Sequence, residues 1–168
     1  GAQAAVELCS QALGSMFDVS SAAFIPGRGV ALRLEGLAAS VESRAEGLQH
    51  ALTRPPHTVL DGPDGRQFWR QVGAATALAR FPVIWRLSVA PRQAARVLED
   101  IEPEDFMLDW GGGLIWVGAG EAGIVAIDPA TSRVAHRIPT DGPAGWTAYD
   151  DEHVWVNAGA SVLRVDPA

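Results

Sequence analysis

Trp116-Val117 recurs as Trp155-Val156, and Asp128-Pro129-Ala130 recurs as Asp166-Pro167-Ala168. The spacing, about 40 residues, is that of one propeller blade. Between these marks β-branched runs alternate with Gly, Pro, Asp and Ser, which is strand and turn chemistry. Ile124 to Ile127 and Arg133 to Ile138 predict a hairpin about Asp128-Pro129-Ala130-Thr131-Ser132. Trp146 to Tyr149, His153 to Asn157 and Val162 to Val165 predict three more strands, with Asp150-Asp151-Glu152 as a turn. Under two blades are present, and a closed propeller needs about four or more. Residues 118–168 are therefore expected to pair with the preceding sheet, with another chain, or within a longer array.

Residues 1–117 carry a different pattern. Ala5, Leu8, Cys9 and Ala12 share a helical face ahead of a stop at Gly14. Val41, Ala45, Leu48 and Leu52 predict a helix over 37–53, terminated by Arg54-Pro55-Pro56. Further helices are expected over 66–78 and, opened by Pro91, over 92–101. Strands are expected over 19–25, 30–35, 57–60, 83–89, 106–110 and 114–117, the last two joined by Gly111-Gly112-Gly113. The expected architecture is an α+β domain (1–117) with a mainly antiparallel, ferredoxin-like sheet and helices on one face. An all-β, blade-like tail (118–168) follows it.

Composition narrows the chemistry. The chain is 48% hydrophobic and 20% charged, enough to build a core. Its net charge is −7 and its positive charges are scattered, so no nucleic-acid surface is expected. All 13 basic side chains are Arg. That removes Schiff-base and P-loop lysines and leaves a planar fork suited to carboxylates. Cys9 is alone, which points to a reduced, cytoplasmic setting without an intrachain disulfide. Neither a membrane span nor a signal peptide is expected.

Gly118-Ala119-Gly120-Glu121-Ala122-Gly123 has the form G-x-G-x-x-G, with Asp141 downstream. A dinucleotide fold needs a helix after these glycines, and the β-branched run ending in Pro129 predicts a strand. A glycine-rich hairpin is the expected reading. His50, His57, His136 and His153 show no metal-ligand spacing. Glu99, Asp100, Glu102, Glu104 and Asp105 read as a solvated helix end, and Ser88 lacks a nucleophile elbow. The remaining candidates are Trp85 beside Arg86 and Asp109 beside Trp110. Arg can hold a small carboxylate by a bidentate pair while Trp excludes water.

Five segments carry a family resemblance: 17–26 (Phe17 to Pro26), 32–36 (Leu32-Arg33-Leu34-Glu35-Gly36), 39–44 (Ala39 to Arg44), 85–91 (Trp85 to Pro91) and 108–112 (Leu108-Asp109-Trp110-Gly111-Gly112). In order and spacing, over about residues 5–117, they resemble the carboxy-terminal half of the FAD-binding subunit of bacterial glycolate oxidase. The resemblance implies an α+β cap over the flavin side of a subunit whose FAD-binding domain is a separate, upstream unit. It implies oxidation of glycolate, a small 2-hydroxy acid, in a complex with a second flavin subunit and an iron–sulfur subunit. No cofactor is then expected on these residues alone. Arg86, Trp85, Asp109 and Trp110 would lie near substrate or flavin edge, with Arg86 on the carboxylate. After Trp116 the chain departs from that family. Ile127-Asp128-Pro129-Ala130-Thr131 and Trp155-Val156-Asn157 are similar to bacterial propeller repeats, which implies a non-enzymatic binding or scaffold module as the alternative.

Overall fold

The computed structural model of the chain describes residues 1–52, 58–128, 130–150 and 153–165. Arg54-Pro55-Pro56, His57, Pro129, Asp151-Glu152 and the repeat mark Asp166-Pro167-Ala168 lie outside the described residues. Helix α1 (Ala2–Leu13) buries Ala5, Val6, Cys9 and Ala12. Strands β1 (Ser21–Ile25) and β2 (Gly29–Arg33) form a hairpin, turned at Gly27 and Gly29 with φ of +78° and +99°. The order continues α2 (Ala38–Ala51), α3 (Gly62–Gly73), β3 (Val83–Ser88), α4 (Ala94–Ile101), β4 (Phe106–Asp109) and β5 (Leu114–Ala119). No helix among the described residues is long and apolar enough to cross a membrane.

Three expectations for this region are corrected. Thr58 to Leu60 form no strand. Val59 and Leu60 are exposed, and the chain passes directly into α3, which starts at Gly62 with Pro63 in its first turn, where a missing N–H costs nothing. The helix expected to reach Leu78 ends at Gly73. Ala75 turns left-handed at φ +48°, and a single 3₁₀ turn, Thr76–Leu78, then buries Leu78 completely. Finally, helices cover both faces of the sheet, not one.

The sheet explains the third correction. Five strands run in the order β2-β1-β4-β5-β3, each neighbour antiparallel. Successive side chains alternate between faces, yet β4 and β5 are apolar at almost every position. Leu108, Ile115, Val117 and Leu87 pack on one face against Val6 of α1 and Val97 and Leu98 of α4. Met107, Ala23 and Ile25 pack on the other against Val72 of α3, Ala75 and Leu78. A sheet apolar on both sides has to be covered on both sides. Helix α2 extends the first layer past β2, joining Leu48 and Leu52 to Ala12, Val19 and Leu32.

After β5 the described elements are strands: β6 (Gly123–Ile127), β7 (Val134–Pro139), β8 (Ala144–Tyr149), β9 (Val154–Ala158) and β10 (Ser161–Val165). They form a β6-β7 hairpin and a β10-β9-β8 sheet, both antiparallel. The two Trp-Val marks thus lie on β5 and β9, each the middle of three strands, and Val117 and Val156 are both buried. Their sequels differ. β9 turns back into β10, whereas β5 pairs with β3 and β4, so β6 takes β7 as its partner. The hairpin docks on the first face: Val125 and Ile127 join that core. Asp100 in α4 binds the Arg133 side chain and accepts from Val134 N–H at 3.2 Å, and its carbonyl accepts from Arg137 at 3.0 Å.

One arginine ties three of the resembling segments together. From α2, Arg44 donates to the carbonyls of Glu35 (2.6 Å), Asp18 (3.2 Å) and Phe17 (3.3 Å). Gly36, at φ +135°, lies beneath this guanidinium, and a Cβ there would sit 3.2 Å from Arg44 Nη2. Replacing Arg44 by Ala strips a charged donor from three carbonyls and should cost about 2–3 kcal/mol in urea unfolding. Lys should restore little, because one ammonium cannot span the same three acceptors. A loss under about 0.5 kcal/mol for Arg44→Ala would refute this role.

Candidate functional site

Antiparallel register builds the site. Arg86 on β3 stands directly opposite Trp116 on β5, which stands opposite Met107 on β4. Asp109 lies two residues beyond Met107 and so shares its face. Three of the four sequence candidates therefore converge: Arg86, Asp109 and, in the turn that follows, Trp110. Trp85 does not join them. As the neighbour of Arg86 on a strand it points to the opposite face, packs with the first core and donates its Nε1–H to the Glu121 carbonyl at 3.0 Å. Its role there is to seat the turn before β6.

The Arg86 guanidinium lies 5.3 Å from the Trp110 ring and 5.7 Å from the Trp116 ring. Cation–π contact of this kind holds a cation in place while leaving its N–H fork available. Arg86 makes no salt bridge among the described residues. Trp116 was legible only as a repeat mark on an expected strand, because its position beside Arg86 depends on a pairing between strands far apart in sequence. Its Nε1–H is buried and lacks a hydrogen-bond partner among the described residues.

Trp110 is held under strain. It is 59% exposed and adopts φ +53°, a left-handed conformation that a bulky side chain rarely takes. Gly111 and Gly112 follow at φ +66° and +104°, where glycine is free to go. The turn closes tightly enough that a Cβ on Gly112 would sit 2.8 Å from Val6 Cγ2. Asp109 Oδ1 accepts the Trp110 N–H at 2.8 Å and fixes the strained residue. Burial pushes the Asp109 carboxyl above the usual carboxylate range, against the opposing pull of the Trp110 N–H and the Arg86 charge.

The other sequence motifs resolve into structural roles. Gly118 ends against the Phe81 ring, which a Cβ would overlap. Its sequel is strand β6 and not a helix, so the glycine run supplies no helix amino terminus for a pyrophosphate. Three of the five residues of the acidic cluster are in ion pairs: Asp100 with Arg133, and Glu104 and Asp105 with Arg80. His153 faces Asp150. Among the described residues no group of His, Cys, Asp and Glu is placed to hold a metal ion. Burial pushes the Cys9 thiol up to about 11, which removes it as a nucleophile near neutral pH.

The raised Asp109 pKa fixes a pH dependence. The folded chain holds this proton more tightly than the unfolded chain, so stability should fall as pH rises from about 3.9 through the raised value. Asp109→Asn keeps the acceptor for Trp110 and abolishes the titration. The wild type should therefore lose stability relative to Asp109→Asn across that window, measured by thermal unfolding at stepped pH. Parallel stability curves would contradict the burial argument. Comparison with known protein families, with curated proteins and with solved structures yields no match.

Proposed function

We propose that this chain is the substrate-side cap of a flavin-dependent 2-hydroxy-acid oxidase subunit of the glycolate oxidase kind, with Arg86 as the carboxylate-binding residue. The observation that carries the reading is the Arg86 fork, bracketed by Trp110 and Trp116 and without a salt-bridge partner of its own. A bidentate pair with a small carboxylate would use that fork, and the two indoles would hold the guanidinium in place for it. Asp109 serves as a positioning residue. Its buried carboxyl holds Trp110 in the left-handed turn that brings the ring over Arg86. The five resembling segments support the same reading, since they meet in space around Arg44 and around Arg86.

The residues described do not fit a flavin dinucleotide. The cavity between α3 and the sheet is about 370 Å³, and the glycine run joins two strands. In this reading flavin belongs to the remainder of the parent complex, beside the second flavin subunit and the iron–sulfur subunit. Trp85 is placed outside the site, and the cytoplasm remains the proposed compartment. A second reading, a non-enzymatic β-repeat scaffold, draws support from the tail, where β6, β7, β8 and β10 are edge strands in their sheets.

Purified alone and titrated with FAD, the chain should retain no stoichiometric flavin and oxidise no glycolate. A yellow, active preparation would overturn the cap reading. Within a complete complex, Arg86→Ala should raise KM for glycolate about tenfold or more with a smaller change in kcat. An unchanged KM removes Arg86 from the site. Strict monomer behaviour on size-exclusion chromatography would count against the scaffold reading.

A further inference from the structure

On the same face as Arg86, but sharing no residue with its cluster, a cavity of about 370 Å³ opens between α3, the β1–β2 turn and the start of β4. Its lining is mixed: Ile25, Pro26 and Phe68 give it apolar surface, with Val72 and Met107 buried behind them. A cavity of ~150 Å³ is enough for a benzene ring, so this one has room for a ring and a short polar arm. Arg28, Gln71 and Thr76 stand at its wall. None of these three side chains makes a hydrogen bond or ion pair among the described residues. Asp105, also at the wall, is already engaged: Oδ1 accepts the Phe106 N–H at 2.9 Å and Oδ2 faces Arg80 at 3.4 Å.

We infer that this cavity is a binding site for a small organic monocarboxylate with an apolar body, its carboxylate on Arg28 and its body against Phe68, Pro26 and Ile25. The charge pattern decides the class. Arg28 is the cation at the wall with no ion-pair partner among the described residues, whereas Asp105 shares Arg80 with Glu104, so Arg28 is the charge left to take a carboxylate. Gln71 and Thr76 add neutral donors beside it. Polar groups converging beside apolar side chains are what orient a ligand in a small-molecule site, and the volume lies near the lower end of such sites. The inference stands apart from the Arg86 reading, because it uses none of the same residues.

Titration of the full chain with phenylpropionate, followed by methyl NMR, tests it. Saturable shifts at Ile25 and Met107 are expected, with a Kd on the order of millimolar for so small a ligand. Arg28→Ala should weaken binding about tenfold or more, whereas Arg96→Ala, which removes an exposed charge from α4 on the opposite face, should leave it unchanged. On the wild type, neutral phenylpropanamide should bind about tenfold more weakly, and zwitterionic phenylalanine no more tightly than the acid. The proposal is overturned by any of four results: no saturable shift up to about 10 mM acid, equal binding by Arg28→Ala, equal binding of the amide, or tighter binding of phenylalanine. The comparison of ligands on the unmodified chain keeps the test decisive if Arg28→Ala misfolds.

Discussion

The backbone hydrogen bonding of β5 on both of its edges is the constraint on which the rest depends. One edge takes β3 through Val83 to Ser88 and the other takes β4 through Phe106 to Asp109. An inner strand apolar on both faces demands cover above and below. That requirement accounts for α1 and α4 on one side and α3 with its 3₁₀ turn on the other. It also sets the chemistry: by joining β3 to β4, β5 carries Arg86 to the same face and neighbourhood as Asp109 and Trp110. Even the tail follows from it. With both edges of β5 occupied, β6 has to find β7, and the hairpin they form is anchored on Asp100.

Much of this was legible in the residues. The apolar spacing of α1 and α2, the β-branched run of β3 and the turn chemistry of the tail each gave an element close to its observed span. Periodicity is a local signal and reported local structure well. It misled at Thr58 to Leu60, where strand-like residues have no neighbour to pair with, and at Ala75, where a left-handed residue breaks what reads as one continuous helix. It also could not say how many faces of the sheet are covered. The unbroken apolar character of Met107-Leu108 and of Leu114-Ile115-Trp116-Val117 did carry that information, since alternating burial would have required polar residues between them.

The candidate site was legible as residue types but not as an arrangement. Adjacent residues on a strand point apart, so Trp85 and Arg86 could never have acted side by side. The partner that Arg86 does have, Trp116, lies on another strand and is reached only through the β3–β5 register. The same holds for the repeat. Two Trp-Val marks of equal sequence both lie on middle strands, yet only the second pairs with the strand that follows it. Similar local sequence gave similar burial, and the surrounding chain decided the pairing.

Native-state hydrogen exchange over residues 114–119 tests the central claim most directly. A strand bonded on both edges protects its amides consecutively, including Gly118, whose N–H reaches the Asp105 carbonyl at 3.0 Å. The account predicts continuous, strong protection along β5, exceeding that of the β6–β7 hairpin. Protection at alternate residues only, or exchange as fast as in β6, would mean that β5 has one partner, and the arrangement of Arg86, Asp109 and Trp110 would lose its foundation.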